Sequence, residues 1–288
     1  MGLVELYCSV DDFWKTFKRD WDRRLIDVGR SKRGPEPEMT TPEMMTIVIL
    51  FHQSNFRTFK HFYHHAQIAY KRDFSFISYS RFVYLMKNVF VPLFAYVLSL
   101  AGTETGIAFV DSTSIAVCKN KRISRNRVFK KVGQIGKTTS GWFFGFKLHL
   151  IINDRGEILS FQITPGNVSD VSVVESLSKR LFGKLFGDKG YISSRVFNSL
   201  LSRGLELFTS IRSTMKPKLM KIEDKILLRK RSLIETVNDQ LKNISQIEHT
   251  RHRSIGNFFI NLIAGIAAYC HQPKKPSLHM PQCALVAA

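Results

Sequence analysis

The segment 185–191, which reads Leu-Phe-Gly-Asp-Lys-Gly-Tyr, constrains the fold more than any other part of the chain. Two large apolar residues lead into a carboxylate and a glycine, as at the end of a buried strand in an α/β protein. We expect Gly190 to adopt a positive φ and turn the chain away, which leaves Asp188 at the edge of a sheet. There Asp188 can bind a metal ion; alternatively, it begins a turn or caps a helix near Ser193.

A second segment repeats this arrangement. Residues 107–113 (Ile-Ala-Phe-Val-Asp-Ser-Thr) predict an apolar strand that ends at Asp111. Residues 142–153 alternate between apolar and polar side chains, and a turn at 153–156 leads into a further strand, so we expect an antiparallel hairpin. Beyond the hairpin, Asp170 is predicted to cap a helix or to lie in its first turn.

A single long helix is predicted from residue 223 to about residue 244. Four of its polar side chains share one face, because three of them follow the first by 4, 7 and 11 residues: Arg231, Glu235, Asn238 and Lys242. Alternatively, Arg231 and Glu235 form only an exposed ion pair, which contributes little stability.

The sequence pattern changes at about residue 104. Residues 1–104 are predicted to form a mostly helical domain, whose short aromatic helices suit a helix-turn-helix-like module that contacts DNA. Residues 105–272 are predicted to form an α/β domain, and residues 273–288 a flexible tail. The longest apolar run, 258–270, is interrupted by Asn261 and is shorter than the ~20 residues that span a bilayer. We therefore expect a buried helix there and no membrane partner.

Charge is distributed unevenly along the chain. The 43 Lys and Arg residues outnumber the 23 Asp and Glu residues, which gives a net charge of +20. Residues 105–288 hold 29 of the basic and 12 of the acidic side chains, so +17 of this charge lies there. Such a field indicates a polyanionic partner, most simply a nucleic acid. An anionic membrane is the weaker alternative, because no basic segment adjoins an apolar run of lipid length.

The densest basic segment is 119–137, which has eight Lys and Arg residues and no acid. It predicts contact with phosphates or, alternatively, a solvated loop. The four cysteines are widely spaced and form no Cys-x-x-Cys pair, and the N-terminal residues do not form a secretion signal. We therefore expect reduced thiols and a cytoplasmic protein.

Three acids in so basic a chain suggest phosphodiester chemistry. Asp111 and Asp188 end two predicted strands, and Glu235 lies on a helix that can pack across the same edge of the sheet. Two divalent ions about 3.5–4 Å apart can stabilise the attacking and leaving oxygens of an in-line displacement. Mg²⁺ prefers oxygen ligands and keeps several waters, so a few carboxylates suffice.

These motifs resemble those of the DDE transposases of bacterial insertion sequences. The resemblance rests on residues 110–113, on residues 186–191, on the spacing of Arg231, Glu235 and Lys242, and on Thr-Pro-Gly-Asn at 164–167. It covers about residues 105–270 and is greatest for the 982-type insertion-sequence group, whose members have a helical N-terminal region. Some related transposases have a tyrosine where this chain has Leu228, so the role of that tyrosine is not carried over.

The resemblance implies an RNase H-like fold, a mixed sheet flanked by helices, in which Asp111, Asp188 and Glu235 bind two Mg²⁺ ions that Mn²⁺ can replace. It also implies cleavage of double-stranded DNA at terminal inverted repeats and transfer of the 3′-hydroxyl to target DNA, by a homodimer or larger oligomer associated with DNA in a bacterium. We expect these side chains to contact DNA: Lys130, Lys131, Lys147, His149, Lys189, Arg231 and Lys242. The alternatives are a DNA-binding relic or repressor without catalysis, and an RNase H-like nuclease.

Overall fold

The computed structural model describes residues 2–27, 37–139, 141–211, 214–215, 219–248 and 252–278. The loop predicted at residues 29–38 lies outside these ranges except for its last two residues. Most of the predicted C-terminal tail, from residue 279 onward, also lies outside them.

The described residues form a helical region that is followed by strands and further helices. The helices are α1 (Leu3–Asp27), α2 (Thr41–Gln53), α3 (Phe59–Ala69), α4 (Tyr79–Leu85), α5 (Phe90–Ser99), α6 (Asp170–Leu177), α7 (Ser194–Leu201), α8 (Ile222–Arg229), α9 (Ser232–Asn243) and α10 (Ile255–Cys270). The strands are β1 (Ile107–Cys118), β2 (Gln134–Thr138), β3 (Gly141–Asn153), β4 (Ile158–Pro165), β5 (Gly183–Gly187) and β6 (Leu205–Thr209). The predicted mixed sheet flanked by helices, preceded by a mostly helical region, is confirmed.

The chain divides into two compact units. The first contains residues 1–100, 241–247 and 252–273, and the second contains residues 101–240, 248–251 and 274–288. This division differs from the predicted segments, because residues 241–247 and α10 belong to the first unit. The apolar residues of α10 pack against α2 and α5 and are almost all buried.

Local signals explain why α2 begins where it does. Thr40 accepts a hydrogen bond from the Glu43 backbone, and the Glu43 carboxylate accepts one from the Thr40 backbone, so the two residues form a capping box. Pro42 stands in the first turn, where the missing N–H costs nothing. The predicted start of this helix is therefore correct to within one residue.

The second unit is built on one sheet with the strand order β2-β3-β1-β5-β6, and β4 pairs with the other part of β3. β1 is antiparallel to β3, and β3 is antiparallel to β2 and β4, whereas β5 is parallel to both β1 and β6. The predicted hairpin at 142–164 is thus β3 and β4. One face of the sheet packs against α6 and α7 through apolar residues that include Val110, Ile151, Val174 and Leu200.

Two predicted elements have different bounds in the structure. β1 continues to Cys118 because β3 pairs along its whole length, so Asp111 lies within the strand rather than at its end. The predicted helix 223–244 is divided at Lys230 and Arg231 into α8 and α9. Asp224 on α8 pairs with Lys184 on β5 at 2.8 Å, whereas α9 carries an amide that bonds β1, so each helix is held by its own tertiary contact.

One helical stretch of the described residues, 79–99, is long and apolar enough to cross a membrane by length and composition alone. Its mean hydropathy is 1.5, and 39% of it is buried within the protein. Helices in the cores of soluble proteins pass the same test. Within the first unit, Tyr96 of this stretch bonds Ser9 and His271 through its hydroxyl group.

Candidate functional site

Strand register brings Asp111 and Asp188 to the same edge of the sheet. β1 and β5 run parallel and pair from Ile107 to Phe109 on one strand and from Lys184 to Phe186 on the other. Asp111 and Asp188 each come two residues after the last pair, Phe109 and Phe186. Asp111 and Asp188 therefore lie at equivalent positions on the two strands, at the edge of the sheet where β5 ends.

Asp188 is held by the turn that it begins. Its Oδ1 accepts a hydrogen bond of 2.7 Å from the backbone N–H of Gly190, and it caps a short 3₁₀ turn, Lys189–Tyr191. The predicted positive φ of Gly190 is wrong, because the positive-φ glycines of the described residues do not include it. Glycine is required for another reason: a Cβ at this position would lie 2.8 Å from Asp188 Oδ1.

Glu235 lies in the first turn of α9 and pairs with Arg231. The Arg231 Nη2 donates to Glu235 Oε1 at 2.7 Å, and the Glu235 side chain is 56% exposed. Both side chains act on the pKa of Asp111: the charge of Glu235 raises it, and the charge of Arg231 lowers it. The helix therefore carries Glu235 to the vicinity of Asp111, although the carboxylate itself is bound to arginine.

One acid of this site, Asp111, has a shifted pKa. The pKa of Asp111 is raised to about 6, mainly by burial and also by the negative charges of Asp188 and Glu235. A hydrogen bond from the Ser112 backbone and the charge of Arg231 act in the opposite direction. Asp111 therefore interacts with both Asp188 and Glu235. These two interactions support the predicted proximity of Asp111, Asp188 and Glu235, here called the acid site.

An amide that sequence reasoning did not place in the site also bonds Asp111. Asn238 Nδ2 donates to Asp111 Oδ2 at 3.1 Å. Asn238 belongs to the polar face predicted for α9, so its spacing of three residues from Glu235 was the signal that could have identified it.

A network of polar side chains joins β1 and β3 to α6. Asp170 Oδ1 accepts hydrogen bonds from Ser112 Oγ at 2.8 Å and from Lys147 Nζ at 2.9 Å. Lys147 also donates to the Val168 carbonyl, and its side chain is only 13% exposed. Asp170 is in the first turn of α6, as predicted, and it links that helix to the residue next to Asp111.

Tyr191 lies near these acids. It is buried, and its pKa is raised by burial and by the charges of Asp111, Asp170 and Asp188. Tyr191 therefore stays protonated beside the acid site.

The predicted DNA contacts fall into two groups. Lys130, Lys131 and Lys189 are exposed. His149 is wholly buried and bonds Thr164 at 2.8 Å, because β3 is an inner strand that is covered by α6. Lys147 forms an ion pair with Asp170. We therefore omit His149 and Lys147 from the proposed DNA surface.

Arg231 is partly exposed beside Glu235, with 22% of its side chain accessible. Lys242 lies in the last turn of α9, at a residue that belongs to the first unit. DNA contact by either residue remains a prediction. A cavity of about 1270 Å³ adjoins the acid site, and its lining includes Tyr191, Ser193, Arg231 and Glu235.

The chemistry of the donor atoms fits a divalent cation such as Mg²⁺, although the arrangement is open. Three carboxylates interact here, and the amide oxygen of Asn238 is a buried acceptor without a partner among the described residues. All are oxygen donors, which Mg²⁺ prefers. In the described part of the chain, however, no three His, Cys, Asp or Glu side chains are close enough together to hold an ion as they stand. The pair between Arg231 and Glu235 must open before Glu235 can serve as a ligand.

The chain was compared with known protein families and structures, and it is similar to transposases. A family model described as a transposase DDE domain matches residues 101–255. A piggyBac transposase, solved by cryo-EM in a synaptic complex with hairpin DNA, is similar with a TM-score of 0.46 and 10% sequence identity, over 87% of this chain and 70% of that chain. A search of curated proteins found no match. Because the family model covers 155 of the 288 residues, the chain belongs to the transposases with a DDE domain.

Proposed function

We propose that the chain is the transposase of a bacterial insertion sequence of the 982 type. It cleaves double-stranded DNA at the terminal inverted repeats of its element and joins the freed 3′-hydroxyl to target DNA. It works as a homodimer or larger oligomer, associated with DNA in the cytoplasm. The observation that carries this proposal is the electrostatic interaction among Asp111, Asp188 and Glu235 at one edge of the sheet.

The chain's own groups suit this reaction. Asp111, Asp188 and Glu235 would hold two Mg²⁺ ions, with Mn²⁺ as a substitute. When bound, such ions stabilise the attacking and leaving oxygens of an in-line displacement at phosphorus. Arg231 lies beside the same acids and can bind a phosphate once it has left Glu235.

The DNA surface is supported by the charge of the second half of the chain. All eight basic side chains of the segment 119–137 are exposed. They can neutralise phosphates without reading the base sequence, which suits a positioning role. Lys189, which follows Asp188 directly, is exposed in the same way at the acid site.

The test replaces each acid by its amide, as Asp111→Asn, Asp188→Asn and Glu235→Gln. Each variant should lose nearly all Mg²⁺-dependent cleavage of a labelled duplex that carries the terminal repeat flanking the gene. DNA binding should stay near normal or become tighter, because a negative charge is removed from a basic protein. The matched control is Asp239→Asn, an exposed acid on the same helix, which should keep its activity.

The alternative function is a DNA-binding protein without catalysis, and the ion pair of Glu235 with Arg231 favours it. Full cleavage by Glu235→Gln would exclude Glu235 as a ligand, and wild-type cleavage in chelator would exclude metal dependence. A wild-type protein that binds the repeat but cleaves nothing would support the alternative. Cleavage of RNA or of unrelated structured DNA in preference to the repeat would instead indicate a nuclease.

A further inference from the structure

Asn238 is placed on α9 so that it faces the acid site. It follows Glu235 by three residues and Arg231 by seven, which puts the three side chains on one face of the helix. An amide is usually exposed on a helix surface, but Asn238 is only 7% exposed. Its burial therefore needs an explanation from its partners.

The two ends of this amide are satisfied unequally. Nδ2 donates to Asp111 Oδ2 at 3.1 Å, whereas Oδ1 is buried and accepts no hydrogen bond from the described residues. Turning the amide over would not help, because the oxygen would then face the carboxylate and the NH₂ group would lose its acceptor. A buried acceptor without a donor destabilises a fold, so its presence calls for a group that binds it.

The charges around Asn238 indicate what that group is. Asn238 bonds Asp111, and the charged groups that act on Asp111 are the carboxylates of Asp188 and Glu235 and the cation of Arg231. Arg231 already donates to Glu235. An amide oxygen among carboxylates is a hard oxygen donor of the kind that Mg²⁺ and Mn²⁺ accept.

We propose that Asn238 is a further member of the cation site: its Nδ2 orients Asp111, and its Oδ1 binds the divalent ion directly or through one of the ion's waters. This inference rests on the proposed function, since it assumes a cation held by the acid site. It adds a residue that the three-acid motif does not contain. It also explains why α9 keeps a polar residue at a buried position, where a leucine would pack with no unsatisfied atom.

The test measures Mn²⁺ binding to the full-length protein without DNA, by the paramagnetic resonance signal of free Mn²⁺ and by the Mn²⁺-induced rise in melting temperature. Asn238→Leu should weaken Mn²⁺ binding by about 10–100-fold, the usual effect of removing such a group. Asn238→Asp should keep Mn²⁺ affinity at least equal to that of the wild type. In chelator, however, Asn238→Asp should melt at a lower temperature than the wild type, because a fourth carboxylate then adjoins Asp111. Thr236→Val, on the same helix but exposed, is the control and should bind Mn²⁺ like the wild type.

A folded Asn238→Leu protein with unchanged Mn²⁺ affinity would overturn the proposal. If that variant does not fold, Asn238→Asp decides: a melting temperature that Mn²⁺ raises less than in the wild type would count against the proposal. Asp111→Asn separates this inference from the proposed function. Loss of Mn²⁺ binding in Asp111→Asn but not in Asn238→Leu would refute only the role of Asn238, whereas a wild type that binds no Mn²⁺ would refute the cation site as a whole.

Discussion

At the residue scale, His149 shows how burial decides what a side chain can do. Its Nε2 lies 2.8 Å from Thr164 Oγ1, and its Nδ1 lies 3.7 Å from Asp170 Oδ1. The pKa of His149 is lowered to about 4, mainly by burial and also by the charge of Lys147, whereas the charge of Asp170 acts in the opposite direction. The imidazole is therefore neutral at physiological pH, and it serves to join β3 to β4 rather than to contact a partner.

This burial predicts a dependence of stability on pH. Between about pH 6.5 and pH 4 the unfolded chain binds a proton at His149 but the folded chain does not, so the free energy of unfolding should fall as the pH falls. The contribution of this one group is at most about 3 kcal/mol at pH 4. His149→Gln should show a smaller loss than the wild type between pH 7 and pH 4.5, measured by urea unfolding.

The control for this experiment is His61→Gln, which replaces an exposed histidine of α3. It should follow the wild-type pH dependence. An identical slope in the wild type and in His149→Gln would show that the buried imidazole is not the source of the acid sensitivity.

At the scale of elements, the basic segment 119–137 is an exposed segment anchored by an apolar residue. Phe129 is buried, and its ring lies 6.1 Å from that of Phe146 on β3. The backbone N–H of Phe129 donates to Asn126, and its carbonyl accepts from Gly133. This anchor presents the surrounding lysines and arginines to solvent in a defined arrangement.

We expect Lys130→Ala with Lys131→Ala to weaken DNA binding to a similar extent for unrelated sequences. Phosphate contacts release counterions, so the double variant should also show a flatter dependence of log affinity on log salt. The measurement is fluorescence anisotropy with two unrelated duplexes over a range of salt. Lys71→Ala with Arg72→Ala, an exposed basic pair of the first unit, is the control. An unchanged salt slope in the Lys130 and Lys131 variant would remove this segment from the DNA surface.

At the scale of the whole molecule, the two compact units are not consecutive in sequence. α10 follows the acid site in the chain but completes the core of the helical unit against α2 and α5. Ile263 and Ala267 of this helix are buried, as are Met45 and Ile49 of α2. The helical unit therefore depends on residues that are far from its other helices in the sequence.

Truncation tests this dependence. A chain that ends at residue 254 loses α10, exposes the apolar face of α2, and should leave the first unit without a stable fold, because the lost burial is many times the effect of a single core substitution. A chain that ends at residue 278 is the control and should melt within a few degrees of the full-length protein. The measurement is thermal unfolding followed by circular dichroism. Equal melting temperatures for the full-length protein and the shorter truncation would contradict the role of α10.

The sequence by itself determined the features that depend on local patterns. Apolar runs followed by Asp111 and Asp188 identified two strands, because strands that are buried on both faces are continuous apolar segments. The charge of the segment 119–137 identified an exposed surface, since eight like charges without an acid cannot be buried. The spacing of Arg231 and Glu235 identified their common helical face.

Only the tertiary structure decided which groups face one another. The periodicity of β3 shows that Lys147 and His149 share a face, but not that α6 covers that face and removes both from solvent. No proline or glycine in the sequence indicates the break between α8 and α9. The two helices are held instead by separate contacts, one with β5 and one with β1. Asn238 bonds Asp111, and α10 packs against α2 and α5, so these partners are also far apart in the sequence. Long-range packing, which no local pattern records, therefore completed both the acid site and the helical unit.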